Sequence, residues 1–88
     1  MAWEVKYLES VAKKDIPALP KSARELIQKA IEGRIKTEPQ KYGKPLRFNL
    51  SGLRRVRVAS YRIVYKIEAE TKTVIITDIR HRKDVYDD

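Results

Sequence analysis

The chain has no cysteine, one histidine and three glycines in 88 residues. Without cysteine there is no disulfide scaffold, no thiol nucleophile and no thiolate zinc site. A single histidine makes a histidine-rich metal centre implausible, so neither a metal nor another cofactor is expected. No apolar run approaches the roughly 20 residues a membrane helix needs. The start, Met1 to Lys6, carries Glu4 and Trp3 where a signal peptide has a basic stretch and then an apolar one. A cytoplasmic protein without membrane association is expected. The last scarcity is local: between Lys41 and Lys66 there is no Asp or Glu.

That interval holds Lys41, Lys44, Arg47, Arg54, Arg55, Arg57, Arg62 and Lys66. These 8 cations equal the whole formal net charge of +8, so the basicity is concentrated. Such a surface favours an anionic partner, nucleic acid first and an acidic protein second. The length fits one domain, residues 1–88, and 42% hydrophobic against 36% charged residues is a globular balance.

Within the basic stretch, Arg55 to Val58 alternate basic with apolar, and so do Tyr61, Arg62 and Ile63. Period-two alternation marks strands with one buried and one open face. Ala59-Ser60 is short enough to join them as a hairpin. Val56, Val58, Ile63, Tyr65 and Ile67 then share the buried face. Arg55, Arg57 and Arg62 project from the other. Three guanidiniums on one face repel each other, yet each offers a planar fork that fits a phosphate bidentately.

The rest of the chain supplies the support. Trp3 to Tyr7 alternates as a first strand, with Trp3, Val5 and Tyr7 inward. Ser10 caps a short helix through Ile16, which Pro17 and Pro20 stop. Lys21 opens the longest helix, with Ala23, Leu26, Ile27, Ala30, Ile31 and Ile35 as its apolar stripe. Residues 40–45 read as a loop by Gly43 and Pro45. Leu46 to Leu50 reads as a short extended piece, and Ser51-Gly52 turns into the hairpin. Thr73 to Ile79, rich in β-branched residues, reads as a central strand. The fold class is α+β in the order β-α-α-β-β-β: a twisted antiparallel sheet with two N-terminal helices on one face. The other face is left basic.

The tail brings Arg80, His81, Arg82 and Tyr86. If the last strand lies beside the hairpin, they reach the rim of the basic face. The assembled set, Arg55, Arg57, Arg62, Arg82, His81 and Tyr86, suits cleavage of RNA through its own 2′-hydroxyl. Arginines orient the strand and neutralise the phosphorane without a metal. Proton transfer falls to Tyr86 or His81, because an arginine keeps its proton. His81 alternates out of phase with Arg80 and Arg82. Lys44, Arg47, Arg54 and His81 are the expected nucleic-acid contacts around that centre. Tyr42 and Phe48, inside the basic stretch, offer rings to bases.

The run Leu50-Ser-Gly-Leu-Arg-Arg-Val-Arg-Val-Ala-Ser-Tyr-Arg-Ile-Val-Tyr65 is similar to the Leu-x-Gly-x-x-Arg-x-Arg-x-x-x-Tyr-Arg-x-x-Tyr core of the RelE/ParE toxin superfamily. His81-Arg-Lys-Asp-Val-Tyr86 resembles the same family's His-Arg-x-x-Val-Tyr tail. Ile16-Pro-Ala-Leu-Pro20 before the long helix fits its element order. The resemblance is to the RelE side, and implies a RelE-like microbial RNase fold. It implies the toxin of a type II toxin–antitoxin pair that cuts mRNA in the ribosomal A site. By position it implies that Arg62 stabilises the transition state, that Arg82 binds phosphate and that Tyr86 serves nucleophile activation. Arg55 and Arg57 stand where the best-known RelE has lysines; they are assigned charge stabilisation. The implied partners are mRNA on the ribosome and an acidic, RelB-like antitoxin. A monomer when free, a hetero-oligomer with antitoxin, is expected. Two other readings compete: a ParE-like DNA gyrase inhibitor, and a non-catalytic RNA-binding module.

Overall fold

Alternation of apolar and charged residues sets the sheet. In the computed structural model, which describes residues 3–46 and 52–81, five strands form one sheet: β1 (Glu4–Tyr7), β2 (Lys44–Pro45), β3 (Leu53–Val58), β4 (Tyr61–Glu68) and β5 (Thr73–His81). Their spatial order is β1-β5-β4-β3-β2. The hairpin has the expected register, with Val56 opposite Ile63 and Arg57 opposite Arg62. Its loop is Ala59-Ser60, and Ala59 adopts a φ of 53°. A positive φ at the first loop residue is what a two-residue turn needs to match strand twist. Alanine tolerates it at some cost.

β5 is paired on both edges over Thr73–Ile76, so its β-branched residues meet a neighbour on each side. The expected antiparallel arrangement holds for β2 to β5. β1 differs, lying parallel to β5 with Glu4 opposite Thr73. Parallel neighbours need a crossover; here nearly the whole chain supplies it. A register shift between Val64 and Tyr65 bulges β5 at Thr77, whose hydroxyl donates to the Val64 carbonyl at 3.2 Å.

Two helical segments cover one face. The first, Val11–Asp15, is a single wide turn closed by the Ile16 N–H on the Val11 carbonyl, 2.9 Å. Ser10 precedes it but makes no side-chain cap, contrary to expectation. Instead Val11 and Ala12 N–H groups share the Leu8 carbonyl, both at 3.0 Å. Asp15 ties this turn to the sheet. Its Oδ2 accepts from the Ile79 N–H at 3.2 Å, on the edge of β5 beyond the reach of β1.

The second helix, α1 (Lys21–Ala30), continues through a wider last turn, Ile31–Ile35. Ala23, Ile27, Ala30, Ile31 and Ile35 point inward and are buried. Leu26 departs from the expected stripe and is 49% exposed. The core between helices and sheet contains Val11, Leu19, Ile27, Val56, Ile63, Tyr65, Val74, Ile76 and Ile79. A side chain as enclosed as Ile63 contributes about 1.5–3 kcal/mol. Trp3 and Val5 pack against this core, but Tyr7 remains 42% exposed. No helix of the described residues is long and apolar enough to cross a membrane.

The segment read as a loop contains a helical turn, α2 (Pro39–Tyr42), before β2. Two side chains from the sheet hold it. The Tyr65 hydroxyl donates to the Pro39 carbonyl at 2.6 Å. Arg54 Nη2 donates to the carbonyls of Gln40, 2.9 Å, and Gly43, 2.7 Å. Burial raises the Tyr65 phenol above its ordinary pKa of 10.0, while nearby Arg54 opposes the rise. A phenol whose folded pKa is raised adds stability in full below pH 10 and loses it as pH climbs through the folded value. Tyr65→Phe is therefore expected to cost about 1 kcal/mol near neutrality. The gap from wild type should close above about pH 10. Urea unfolding at several alkaline pH values checks this; a gap that stays constant contradicts it.

Candidate nucleic-acid interface

The face of the sheet opposite the helices carries the odd-numbered residues of β3. Their cross-strand partners share it: Lys44 opposite Arg55, Arg57 opposite Arg62, and Arg62 opposite Arg80. Arg57, Arg62 and Arg80 thus form a row across three adjacent strands, each about 4.8 Å from the next. Arg62 is half-buried, whereas Arg57 and Arg80 are exposed.

Arg62 and Arg80 line a cleft of about 450 Å³. Leu46, Leu53 and Val64 give it apolar wall, and Thr77 and Asp78 come from β5. Ser10, just before the first helical turn, and Lys14 and Asp15, within it, close the cleft. Its two carboxylates are already engaged. Asp78 accepts from Arg80 Nε at 2.9 Å, and Asp15 accepts from the Ile79 N–H. Such a salt bridge fixes where the Arg80 side chain lies before any ligand arrives. Among the described residues no group of His, Cys, Asp or Glu could hold a metal ion.

The structure brings Arg55, Arg57, Arg62 and Lys44 to one face, as expected. Arg80, expected only at the rim of this face, joins their row through the β4–β5 register. Two expected contacts sit elsewhere. Arg54 shares the parity of Val56 and Val58, so it lies on the helix side and clamps α2 through the carbonyls described above. Its place opposite Tyr65 in the β3–β4 register brings it to those carbonyls. His81 lies opposite Tyr61, on the side of Ile79. Its ring stands edge-on to Tyr61, with centroids 5.1 Å apart at 88°. Alternation along β5 turns it away from Arg62 and Arg80. Arg47, Phe48, Arg82 and Tyr86 lie outside the described residues, and so does the expected extended piece beyond Leu46.

The sequence model of the family described as the ParE toxin of type II toxin-antitoxin system, parDE, matches residues 6–86. The chain belongs to the RelE/ParE superfamily of type II toxins. Toxin RelG of Mycobacterium tuberculosis is 35% identical over 77 residues, covering 88% of each chain. Toxin RelE of the same organism is 32% identical over 79 residues, covering 90% of this chain and 81% of that one. In structure, a chain of the toxin–antitoxin complex RelBE2 from M. tuberculosis superposes with a TM-score of 0.86 at 30% identity. The match covers 93% of this toxin and all of that chain. The superfamily's mixed α+β architecture is therefore the fold of this toxin.

Proposed function

We propose that this toxin is a metal-independent endoribonuclease that cuts mRNA in the ribosomal A site and so stops translation in the cytoplasm. The observation behind this reading is the row Arg57, Arg62 and Arg80, lying on the face of the sheet opposite its apolar core. RNA carries its own nucleophile. The 2′-hydroxyl gives its proton to a base as its oxygen attacks the adjacent phosphorus, the bond to the 5′-oxygen breaks, and the leaving oxygen takes up a proton, which leaves a 2′,3′-cyclic phosphate and a 5′-hydroxyl. The protein must hold the strand and spread the charge of the pentacoordinate phosphorane. Arg62, between the two other arginines, is proposed to do the second. Arg55 and Arg57 add positive charge, and Arg82 is proposed as a further phosphate contact. With His81 turned toward Tyr61, proton transfer is assigned to Tyr86. Lys44 and Arg47 are proposed to follow the strand outward.

The RelG and RelE relatives favour this reading. The matching family model is a ParE model, which favours a second: inhibition of DNA gyrase without RNA cleavage. Primer extension on mRNA from cells expressing the toxin separates them. Breaks within codons soon after induction are expected. Intact mRNA with arrested replication would instead support the gyrase reading. The neutralising partner is proposed to be an acidic, RelB-like antitoxin. The RelBE2 complex supplies the precedent and the net charge of +8 the electrostatic reason. The free toxin is proposed to be monomeric and to enter a hetero-oligomer with that antitoxin.

A further inference from the structure

Beside β2 lies a second groove, of about 390 Å³, lined by Arg34, Tyr42, Lys44, Arg55, Val56 and Arg57. Its cations come from three elements: the last turn of the long helix, β2 and β3. Tyr42 ends α2 and is 44% exposed among them. Apart from Tyr42, every titratable group lining the groove is a cation. A ligand that fits this lining is anionic and offers a flat face. Single-stranded nucleic acid has both, a phosphate for the cations and a base for the phenol ring.

The groove also continues the arginine row. Arg57 lines it and is the direct cross-strand partner of Arg62, which lines the first cleft. From β5 to β2 the sheet crosses three interstrand steps, about 14 Å at roughly 4.8 Å each. A stacked single strand places a phosphate about every 3.4 Å, so roughly four nucleotides span that distance.

We propose that this groove is a binding subsite for an RNA nucleotide flanking the scissile one. Tyr42 stacks on its base, and Arg34 and Lys44 hold its phosphate. The proposal rests on the reading of the sheet face as an RNA site, and deepens it.

The test is fluorescence anisotropy with a labelled single-stranded RNA of about ten nucleotides, within the usual site sizes. It is run without ribosomes, and in an Arg62→Ala background so that cutting is suppressed. Tyr42→Ala is expected to weaken binding about tenfold, and Tyr42→Phe to keep it, because either ring can stack. Arg34→Gln with Lys44→Gln should weaken binding too. It should also flatten the dependence of log affinity on log salt, by about 0.7 for each phosphate no longer neutralised. Wild-type affinity in Tyr42→Ala, with an unchanged melting temperature, overturns the proposal. So does full affinity in the Arg34 and Lys44 double variant, should Tyr42→Ala fail to fold. A loss confined to binding of an acidic peptide, with RNA unaffected, overturns it as well. Binding is read here without cleavage, so intact mRNA in the primer-extension experiment would be a separate failure.

Discussion

Arg62→Ala is expected to lower mRNA cleavage on programmed ribosomes by about 10²–10³-fold while leaving the fold intact. Arg62 is the middle member of the row, with Arg57 on one side and Arg80 on the other. It is also the member of that row that is half-buried. A guanidinium partly withdrawn from water interacts more strongly with a developing charge than one in bulk solvent. Losing one fixed donor to such a charge costs that range of rate in other enzymes. The loss should fall mainly on kcat, since the charge grows in the transition state. Arg62→Lys should recover part of the rate. Lysine keeps the charge but lacks the fork that meets two oxygens at once. Cleavage by Arg62→Ala within a few-fold of wild type would remove Arg62 from the chemistry. Equal melting temperatures would show that the comparison is fair.

Gly43→Ala should destabilise the toxin by about 2–4 kcal/mol. Gly43 has φ −85° and ψ 153°, a conformation any residue adopts. The constraint is space. An added Cβ would fall onto the Tyr65 hydroxyl, 2.8 Å from Tyr65 Cζ and 2.9 Å from Arg54 Cβ. Tyr65 is fully enclosed and cannot swing away. Overpacking of this kind costs about 1–3 kcal/mol. Displacing the phenol from the Pro39 carbonyl adds about 1 kcal/mol. For a domain of this size the melting temperature should fall by roughly 10–20 °C. Gly33→Ala is the control. No atom lies within 4 Å of its added Cβ, and in a helical turn alanine should stabilise by about 0.5–1 kcal/mol. Similar melting temperatures for Gly43→Ala and wild type would contradict the packing described.

The hairpin could be read from sequence because one face is buried along its whole length. A shift by one residue would have turned Val56 and Ile63 outward, so the pattern fixes the register. The same parity already assigns Arg54 to the buried side. Its charge and its place in a basic run concealed that. His81 was legible in the same way, by alternation against Arg80. Other features had no local signature. A four-residue alternating strand says nothing of its partner's direction, so β1 alongside β5 was not readable. Arg80 meets Arg62 only through a register that includes the bulge at Thr77. α2 hides behind Gly43 and Pro45, residues that read as loop. Helical as it is, it depends on contacts from β3 and β4, far along the chain. Arg34 reaches the second groove through packing of the long helix on the sheet, which composition does not reveal. The superfamily resemblance, carried by the basic hairpin and the tail, covered what periodicity left open about fold class.

The seam between β1 and β5 joins segments about 70 positions apart. Contacts so distant close late in folding. As the chain is synthesised, β1 emerges first and then has no edge to dock on until Thr73–Ile76 follows. The strand that completes the seam also carries Arg80. A product that stops short of β5 is an unfinished sheet, and the row Arg57, Arg62 and Arg80 exists only once residue 80 has been added and β5 has paired with β4.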